Sequence, residues 1–387
     1  MAPLAAGVDL PLPSVRRLIL ADFRSYASLD LALHAAIVVL CGDNGAGKTN
    51  ILEALSFLTA GRGLRRAELA DCARRGGSGT FSISVELATS IGSVQLGTGT
   101  ELQPEGGVLR RYRLDREPIG SIRAFADHLR VVWLTPAMDG LFTGAAGERR
   151  RFLDRLVLAV DSDHGGRVNA LERALRNRNR LLEDGGADRL WLDAAEREVA
   201  ELAVAVAAAR HETVLRLAAL IARERDDASP FPWASLALKG ELEEMVATRP
   251  ALDAEDRYRA ILRDNRGRDA AAGRTLIGPQ SADLLVRHGP KDIEAERAST
   301  GEQKALLVGL VLAHAALVAD LCGIKPLVLL DEIAAHFDAA RRRALYERLA
   351  ALGAQVFMTG ADRDVFAPLE GRALMLFVEP GNIREIG

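Results

Sequence analysis

Three cysteines, Cys41, Cys72 and Cys322, are all that the 387 residues contain, and they lie far apart. An odd number at that spacing excludes a disulfide framework, offers no zinc-ligand pattern and suits a reducing cytoplasm. Aromatic residues make up 5% of the chain, which leaves no ladder of stacking platforms for single-stranded nucleic acid. Charge of one sign is not in excess either. The 50 Lys+Arg face 53 Asp+Glu for a net charge of −3, so any DNA contact has to come from a local basic surface rather than from bulk charge. The longest apolar run, Leu306 to Cys322, is interrupted by His314 and Asp320, which disfavours a membrane span and reads as a buried helix. Met1 to Ser14 holds prolines and no basic segment ahead of an apolar core; it reads as a loose tail, not a signal peptide.

What is present is a soluble-type composition, 49% hydrophobic, enough for sizeable cores in two or three domains. Within it the run Gly42-Asp43-Asn44-Gly45-Ala46-Gly47-Lys48-Thr49 fits the phosphate-loop pattern G-x-x-x-x-G-K-[ST] without a mismatch and follows the apolar stretch Ile37 to Cys41. A strand ending in such a turn aims successive backbone N–H groups at a β-phosphate, at the positive end of the helix that Asn50 to Leu55 continue. Lys48 supplies a mobile charge for the β- and γ-phosphates, and Thr49 a hydroxyl for Mg2+. The plainer alternative is a glycine turn with a chance Gly-Lys-Thr.

Around this loop, β-like runs at Leu18 to Leu20, Leu29 to Leu33, Phe81 to Leu87, Arg111 to Leu114 and Val131 to Leu134 suggest a mixed sheet with hairpins. From Arg149 to about Arg225 the sequence turns helical and rich in Ala, Leu, Glu and Arg, interrupted near Asp184-Gly185-Gly186. Alanines at 203–209 rule against sustained heptads, so a helical hairpin or small bundle forming a short arm is expected. Strand character resumes at Thr275-Leu276-Ile277-Gly278 and Leu284-Leu285-Val286, and again at Leu327 to Leu330, Val356 to Thr359 and Ala373 to Val378. Two α/β segments, 1–148 and 275–387, thus bracket a helical insertion, 149–274.

Leu327-Val328-Leu329-Leu330-Asp331-Glu332 is an apolar run closed by two acids, the pattern of a strand buried on both faces of a parallel sheet. At its carboxyl end Asp331 can hold the Mg2+ shell, and Glu332 can orient or deprotonate an attacking water. An ordinary strand ending in exposed acids would read the same way. Ala298-Ser299-Thr300-Gly301-Glu302-Gln303-Lys304 precedes an apolar helix and resembles the signature motif of ABC-type ATPases. There, a Ser and a Gly at a helix N-terminus form a second anion nest, which in that superfamily takes the γ-phosphate held by a partner subunit. Ser299 with Glu302 also reads as a capping box, and the two readings can hold together. Asp338 falls where that superfamily places its D-loop acid.

Within the superfamily the chain resembles the RecF family, bacterial recombination-mediator ATPases of the group that includes the SMC proteins. Asp22-Phe23-Arg24-Ser25-Tyr26 looks like its N-F-R-N-Y, Gly42 to Glu53 like its G-D-N-G-x-G-K-T-N-x-L-E, and Gly144 to Asp154 like its G-S-P-x-x-R-R-R-F-L-D. Arg176 to Leu182 resembles the helical-arm Q-R-N-x-L-L, Thr275 to Leu284 the T-x-x-G-P-H-x-D-D-L, and Ala298 to Lys304 the A-S-Q-G-Q-Q-R. Departures are Gln280 for His, Ala282 for the first Asp of D-D-L, Glu302 for Gln, Ala145 and Ala146 for Ser and Pro, and a displaced P-E-D-L that leaves Asp139 as the nearest acid for a Q-loop contact. Thr359-Gly360-Ala361-Asp362 lacks the switch histidine of transporter ATPases, which fits slow hydrolysis.

The resemblance implies a P-loop ABC-type ATPase head with an inserted arm, ATP and Mg2+ as ligands, and an ATP-driven homodimer that binds DNA. It also implies weak DNA-stimulated hydrolysis and help in loading recombinase at gapped DNA through a RecR-type partner. By the same matches, Gly42 to Asn50, Ser299, Gly301 and Asp338 contact nucleotide, Lys48 and Glu332 are catalytic, and Thr49 and Asp331 hold the metal. Arg62, Arg65 and Arg66, and further on Arg149, Arg150 and Arg151, are candidates for DNA phosphates; each cluster could equally be a solvated helix face or a partner for Glu68, Asp71, Glu148 or Asp154. Arg65 also matches an arginine of the family's R-S-x-R segment and could face nucleotide. A transporter ATPase subunit would share the loop, the signature and the Asp331-Glu332 pair but needs the Q-loop and histidine. A nucleotide kinase would share the first loop alone.

Overall fold

A computed structural model describes residues 12–184 and 188–386. Most of the expected N-terminal tail and the Gly185-Gly186 interruption therefore lie outside the described residues. Contacts divide the chain into two units: residues up to Asp139 with Ala228–Phe231 and Leu307 onward form the first, and Gly140–Asp227 with Pro232–Leu306 the second.

The first unit is built on two six-stranded sheets, one of them mixed as the sequence suggests. One is mostly parallel, in the order 382–385, 374–379, 37–41, 356–360, 327–330, 131–134, with only the 382–385 edge antiparallel. The other is antiparallel throughout, joining Ser14–Phe23, Tyr26–Ala32, Ser82–Thr89, Gly92–Leu102, Val108–Leu114 and Glu117–Ile119. The two sets of strands differ in sequence for a physical reason. Ile37–Cys41, Leu327–Leu330 and Val356–Gly360 are buried at every position and read as continuous apolar runs, whereas Ser82–Thr89 alternates because one face meets water.

Both sheets and the nine-residue helix Lys48–Ser56 share one core, which includes Leu18, Val38, Leu40, Leu52, Leu55, Ile83 and Leu329. A buried glutamine ties the sheets through backbone. Gln355 accepts from Val15 N–H at 2.7 Å and donates to the carbonyls of Val15 at 3.0 Å and Ala35 at 3.2 Å.

The second unit is helical around a small three-stranded sheet. Helices His164–Glu183 and Arg189–Arg223 pack together; the latter, 35 residues long, extends about 50 Å at 1.5 Å per residue. Its alanines do not stop it from packing, since Val199, Ala200, Ala203, Val206 and Ala207 fill a core with Leu171, Tyr258 and Leu262. Residues 275–306 cluster with this unit, not with the C-terminal part of the head as composition suggests, because Asp283–His288 pairs antiparallel with the strand Ala234–Lys239, which sequence reading missed. Thr275–Gly278 is not a strand. Thr275 N–H and Oγ1 donate to Asn179 Oδ1 at 3.0 and 2.8 Å, and Leu276 N–H to Asp269 Oδ1 at 3.0 Å, so side chains take the bonds a sheet would have made.

Helix Thr300–Cys322 is long and apolar enough by composition to cross a membrane, but 61% of its apolar window is buried inside the protein. Val308, Val311, Ala315 and Val318 are among its fully covered residues, so core burial accounts for the run.

Candidate nucleotide site and signature turn

In the first unit the chain leaves the central strand Ile37–Cys41 through Gly42 at φ +149, where a Cβ would sit 2.3 Å from the Val378 carbonyl oxygen. Only glycine fits there. Gly47, at φ +114, is hemmed in by Ser25 Oγ and Tyr26 OH, and Tyr26 OH donates to Gly47 O at 3.2 Å. The loop thus has a fixed shape before any ligand arrives. Ala46 N–H donates to Asp43 O at 3.2 Å and Asn50 N–H to Gly47 O at 3.0 Å, with Asn44 and Gly45 exposed between. Lys48 is 4% exposed and its ammonium donates to Gly42 O at 2.5 Å and Asp43 O at 2.9 Å. It spans the hollow of its own loop, where a phosphate would offer the same oxygens with a full charge.

Thr49, Asp331, Glu332 and Thr359 form one cluster. Thr49 Oγ1 and Thr359 Oγ1 donate to the same Asp331 Oδ1, at 2.9 and 2.8 Å, across 282 and 28 residues of sequence. Sheet order explains this: strand 356–360 lies between 37–41 and 327–330, so its last side chains bridge the two carboxyl ends. Glu332 has φ +54, a left-handed conformation that costs a residue with a Cβ about 1 kcal/mol, and its N–H donates to Thr359 Oγ1 at 2.9 Å. Thr49 and Asp331 are hard oxygen donors suited to Mg2+, which keeps water and phosphate oxygens for its remaining positions. Among the described residues no group of three or more His, Cys, Asp or Glu could hold a metal, so an all-protein cage is not what this site offers.

Behind the loop, Glu53 is fully buried and chelated by Arg24 at 2.6 and 2.8 Å. Arg65 Nη1 donates to both Glu53 Oε2 at 2.8 Å and Asn50 Oδ1 at 2.6 Å. The Asp22-to-Tyr26 motif and Arg65 therefore converge on the first turns of the phosphate-loop helix. Burial pushes the Cys41 thiol, one residue before the loop, up to about 11, so it stays a neutral core group.

Asp338 caps helix Ala339–Leu352 through Arg341 N–H at 2.9 Å and is exposed. That N–H, followed by the Arg341 charge, holds its carboxyl below the usual range. Asp139 ends the turn that follows strand Val131–Leu134, the neighbour of 327–330.

In the second unit, Ser299 and Gly301 are exposed at the start of helix Thr300–Cys322. Glu302 reaches back to Ser299 N–H at 3.1 Å, half of the expected capping box. The Ser299 hydroxyl departs from that motif and donates to the same Glu302 Oε2 at 2.9 Å.

The basic residues fare unequally. Arg62 pairs with Glu68 at 2.5 Å with both side chains exposed, Arg66 is exposed at φ +56, and Arg151 lies 3.8 Å from Glu148. Arg149, by contrast, makes a bidentate pair with Asp283 at 2.7 and 2.8 Å and donates to Gly144 O at 2.6 Å. Arg150 donates to Ala282 O at 2.7 Å. These two arginines hold the arm together and are engaged on protein oxygens. Thr359 is the site residue that sequence reading missed as a contributor: a lone threonine at a strand end carries no motif signal.

The sequence pattern of the RecF/RecN/SMC N terminal domain family matches residues 14–382. The DNA replication and repair protein RecF of Allorhizobium ampelinum is 54% identical over 369 residues, covering 95% of this chain and 98% of the relative. The chain belongs to the RecF family. The RecF protein of Rhizobium meliloti is likewise 54% identical, covering 95% and 97% of the two chains. Among solved structures, the recombination mediator protein RecF-ATPrS in the RecFOR pathway superposes with TM-score 0.85 at 17% identity over 98% of this chain and 99% of that one. An SMC head domain derived from Pyrococcus furiosus gives TM-score 0.53 at 17% identity, covering 97% and 96%. At those identities the solved structures establish the fold, an ABC-type ATPase head of the RecF and SMC kind.

Proposed function

We propose that this chain is an ATP-switched, DNA-binding recombination mediator of the cytoplasm that acts in DNA repair and replication. In this reading Gly42 to Asn50 cradle the triphosphate, Lys48 neutralises its β- and γ-oxygens, and Thr49 with Asp331 holds Mg2+. When bound, Mg2+ supplies charge neutralisation at the phosphates. Glu332 orients water for a slow hydrolysis. Ser299 and Gly301 of a second copy, with Asp338, complete the pocket, so ATP stabilises the homodimer through its higher affinity for the paired state. The dimer binds DNA, with Arg62, Arg66 and Arg151 the better candidates for phosphates than Arg65, Arg149 and Arg150, which are engaged on protein oxygens. A RecR-type mediator and a recombinase are the partners that the family relationship supplies; a membrane is not among them.

The observation that carries this reading is the single hydrogen-bonded cluster of Thr49, Asp331, Thr359 and the Glu332 backbone beside the glycine loop. Support also comes from relatives that are named DNA replication and repair proteins and from a solved RecF described with ATPrS.

The test is DNA binding by the purified protein with ATP, ADP or no nucleotide across several salt concentrations. Retention that requires ATP and falls with salt is expected; equal binding in all three nucleotide states would sink the switch.

A further inference from the structure

The signature turn already holds an anion. Glu302 Oε2 accepts from both Ser299 N–H and Ser299 Oγ–H, at 3.1 and 2.9 Å, while Glu302 Oε1 accepts from Lys291 Nζ at 2.6 Å. These are the Ser donors that a phosphate oxygen would take at this helix start. The turn around them is firm. Gln303 Nε2 donates to the carbonyls of Glu296 at 3.1 Å and Ala298 at 2.9 Å, and Lys291 sits on the turn Gly289–Lys291, where its N–H donates to His288 Nδ1 at 3.3 Å. The Glu302 and Lys291 side chains thus meet on a frame that other bonds hold in place.

We propose that Glu302 is an internal phosphate mimic that occupies the donors of its own signature turn in the unpaired protein, and that Lys291, already bonded to its other oxygen, is the positioning residue that keeps hold of the carboxylate when a partner copy's triphosphate displaces it from Ser299. This rests on the reading of the chain as an ATP-driven homodimer and adds a built-in brake to it. The arrangement follows from charge. A carboxylate left on Ser299 repels the incoming γ-phosphate, whereas one withdrawn from Ser299 stays neutralised by Lys291 of the neighbouring turn. The three bonds that hold Glu302 are charge-assisted, and all of them weaken together when Glu302 loses its charge. Glutamine keeps the size and one acceptor of Glu302, so it preserves the cap while removing the repulsion.

The experiment measures pairing of the full chain by sedimentation against a nonhydrolysable ATP analogue for the wild type, E302Q, K291A and the double variant, with folding checked by circular dichroism. Pairing of E302Q is expected at about five- to tenfold lower analogue concentration, the scale of a charged against a neutral hydrogen bond. K291A is expected to need about fivefold more, and to shift the half-point less than about twofold when E302Q is already present. An unchanged half-point for folded E302Q overturns the brake even if the wild type pairs normally, and an equal Lys291 effect in both backgrounds overturns the relay. Should E302Q not fold, K291A alone decides: tighter or unchanged pairing overturns the proposal. A wild type that does not pair with the analogue refutes the dimer reading itself, and this inference with it.

Discussion

Two clusters of charged and hydroxyl side chains, one in each unit, both lie on family motifs, yet they are wired in opposite ways. In the first unit, Asp331 accepts from two neutral hydroxyls, Thr49 and Thr359. In the second, the fully buried Arg178 donates to Glu196 at 3.2 Å, Asp269 at 2.8 Å, Thr275 Oγ1 at 2.8 Å and Leu262 O at 2.7 Å, and Glu196 is bound again by Arg266 at 2.6 Å. Two guanidiniums against three carboxylates, Asp193 being the second that Arg266 binds, saturate the arm's hub from within. A carboxylate held only by hydroxyls still has its negative charge to give to a metal; a hub saturated by its own partners has nothing left for a ligand. Matching a motif marks a demanding geometry in both cases, and only the wiring separates binding from support.

The comparison breaks most visibly at Arg178. Arg178→Met leaves Glu196, Asp269 and Thr275 without the guanidinium in a buried site and is expected to cost about 3–5 kcal/mol of stability, read as a fall in the urea midpoint. A loss under about 1 kcal/mol would mean that the arm tolerates an unbalanced hub. Lys48→Ala, in the glycine loop one residue before Thr49 of the other cluster, should do the reverse. Its partners are carbonyls at the loop mouth, so stability is expected to hold within about 1 kcal/mol. ATP affinity, measured by calorimetry, is expected to fall by about 2–4 kcal/mol if Lys48 is the buried charge that meets the phosphates, as proposed.

Much of this was legible in advance where one physical demand dominates a short stretch. The glycine loop, the apolar strand before Asp331 and the Glu302-to-Ser299 half of the capping box follow from backbone sterics, burial and helix-end electrostatics, each written within a few residues. Arg178, Asn179 and Thr275 were visible as motif residues, but their pairing with one another across 96–97 residues was not, and Thr275–Gly278 was accordingly misread as a strand. Strand Ala234–Lys239 escaped because its six residues, Ala-Ser-Leu-Ala-Leu-Lys, lack the β-branched and aromatic character that marks strands. Thr359 escaped because what it does depends on which strand lies beside it.

A smaller change sharpens the contrast at Thr359. Thr359→Val removes the acceptor for Glu332 N–H and one donor to Asp331 while keeping the shape of the side chain, at a cost of about 1–2 kcal/mol for the unmet N–H. Because Glu332 is held at positive φ, the expected readout is a drop of about tenfold in ATP turnover with ATP affinity changed much less, and Thr359→Ser should restore most of it. Equal losses in turnover and affinity, unrescued by serine, would place Thr359 in general support rather than in orienting Glu332.

The least effect is expected at the signature cap, where pH serves as the probe. Bonds from Lys291 first, then from Ser299, hold the Glu302 carboxyl down at about 2 against an ordinary 4.5. The folded state therefore binds this proton less readily than the unfolded one, so the stabilisation is fully present above about pH 4.5 and is lost as pH falls toward about 2. Glu302→Gln has no such proton to bind. The difference in denaturation midpoint between wild type and E302Q is thus expected to favour the wild type at pH 5–7 and to shrink steadily below about pH 4.5. A difference that stayed constant across that range would show that the cap works through its hydrogen bonds alone, and the charge on Glu302 would then have no stabilising role to trade against pairing.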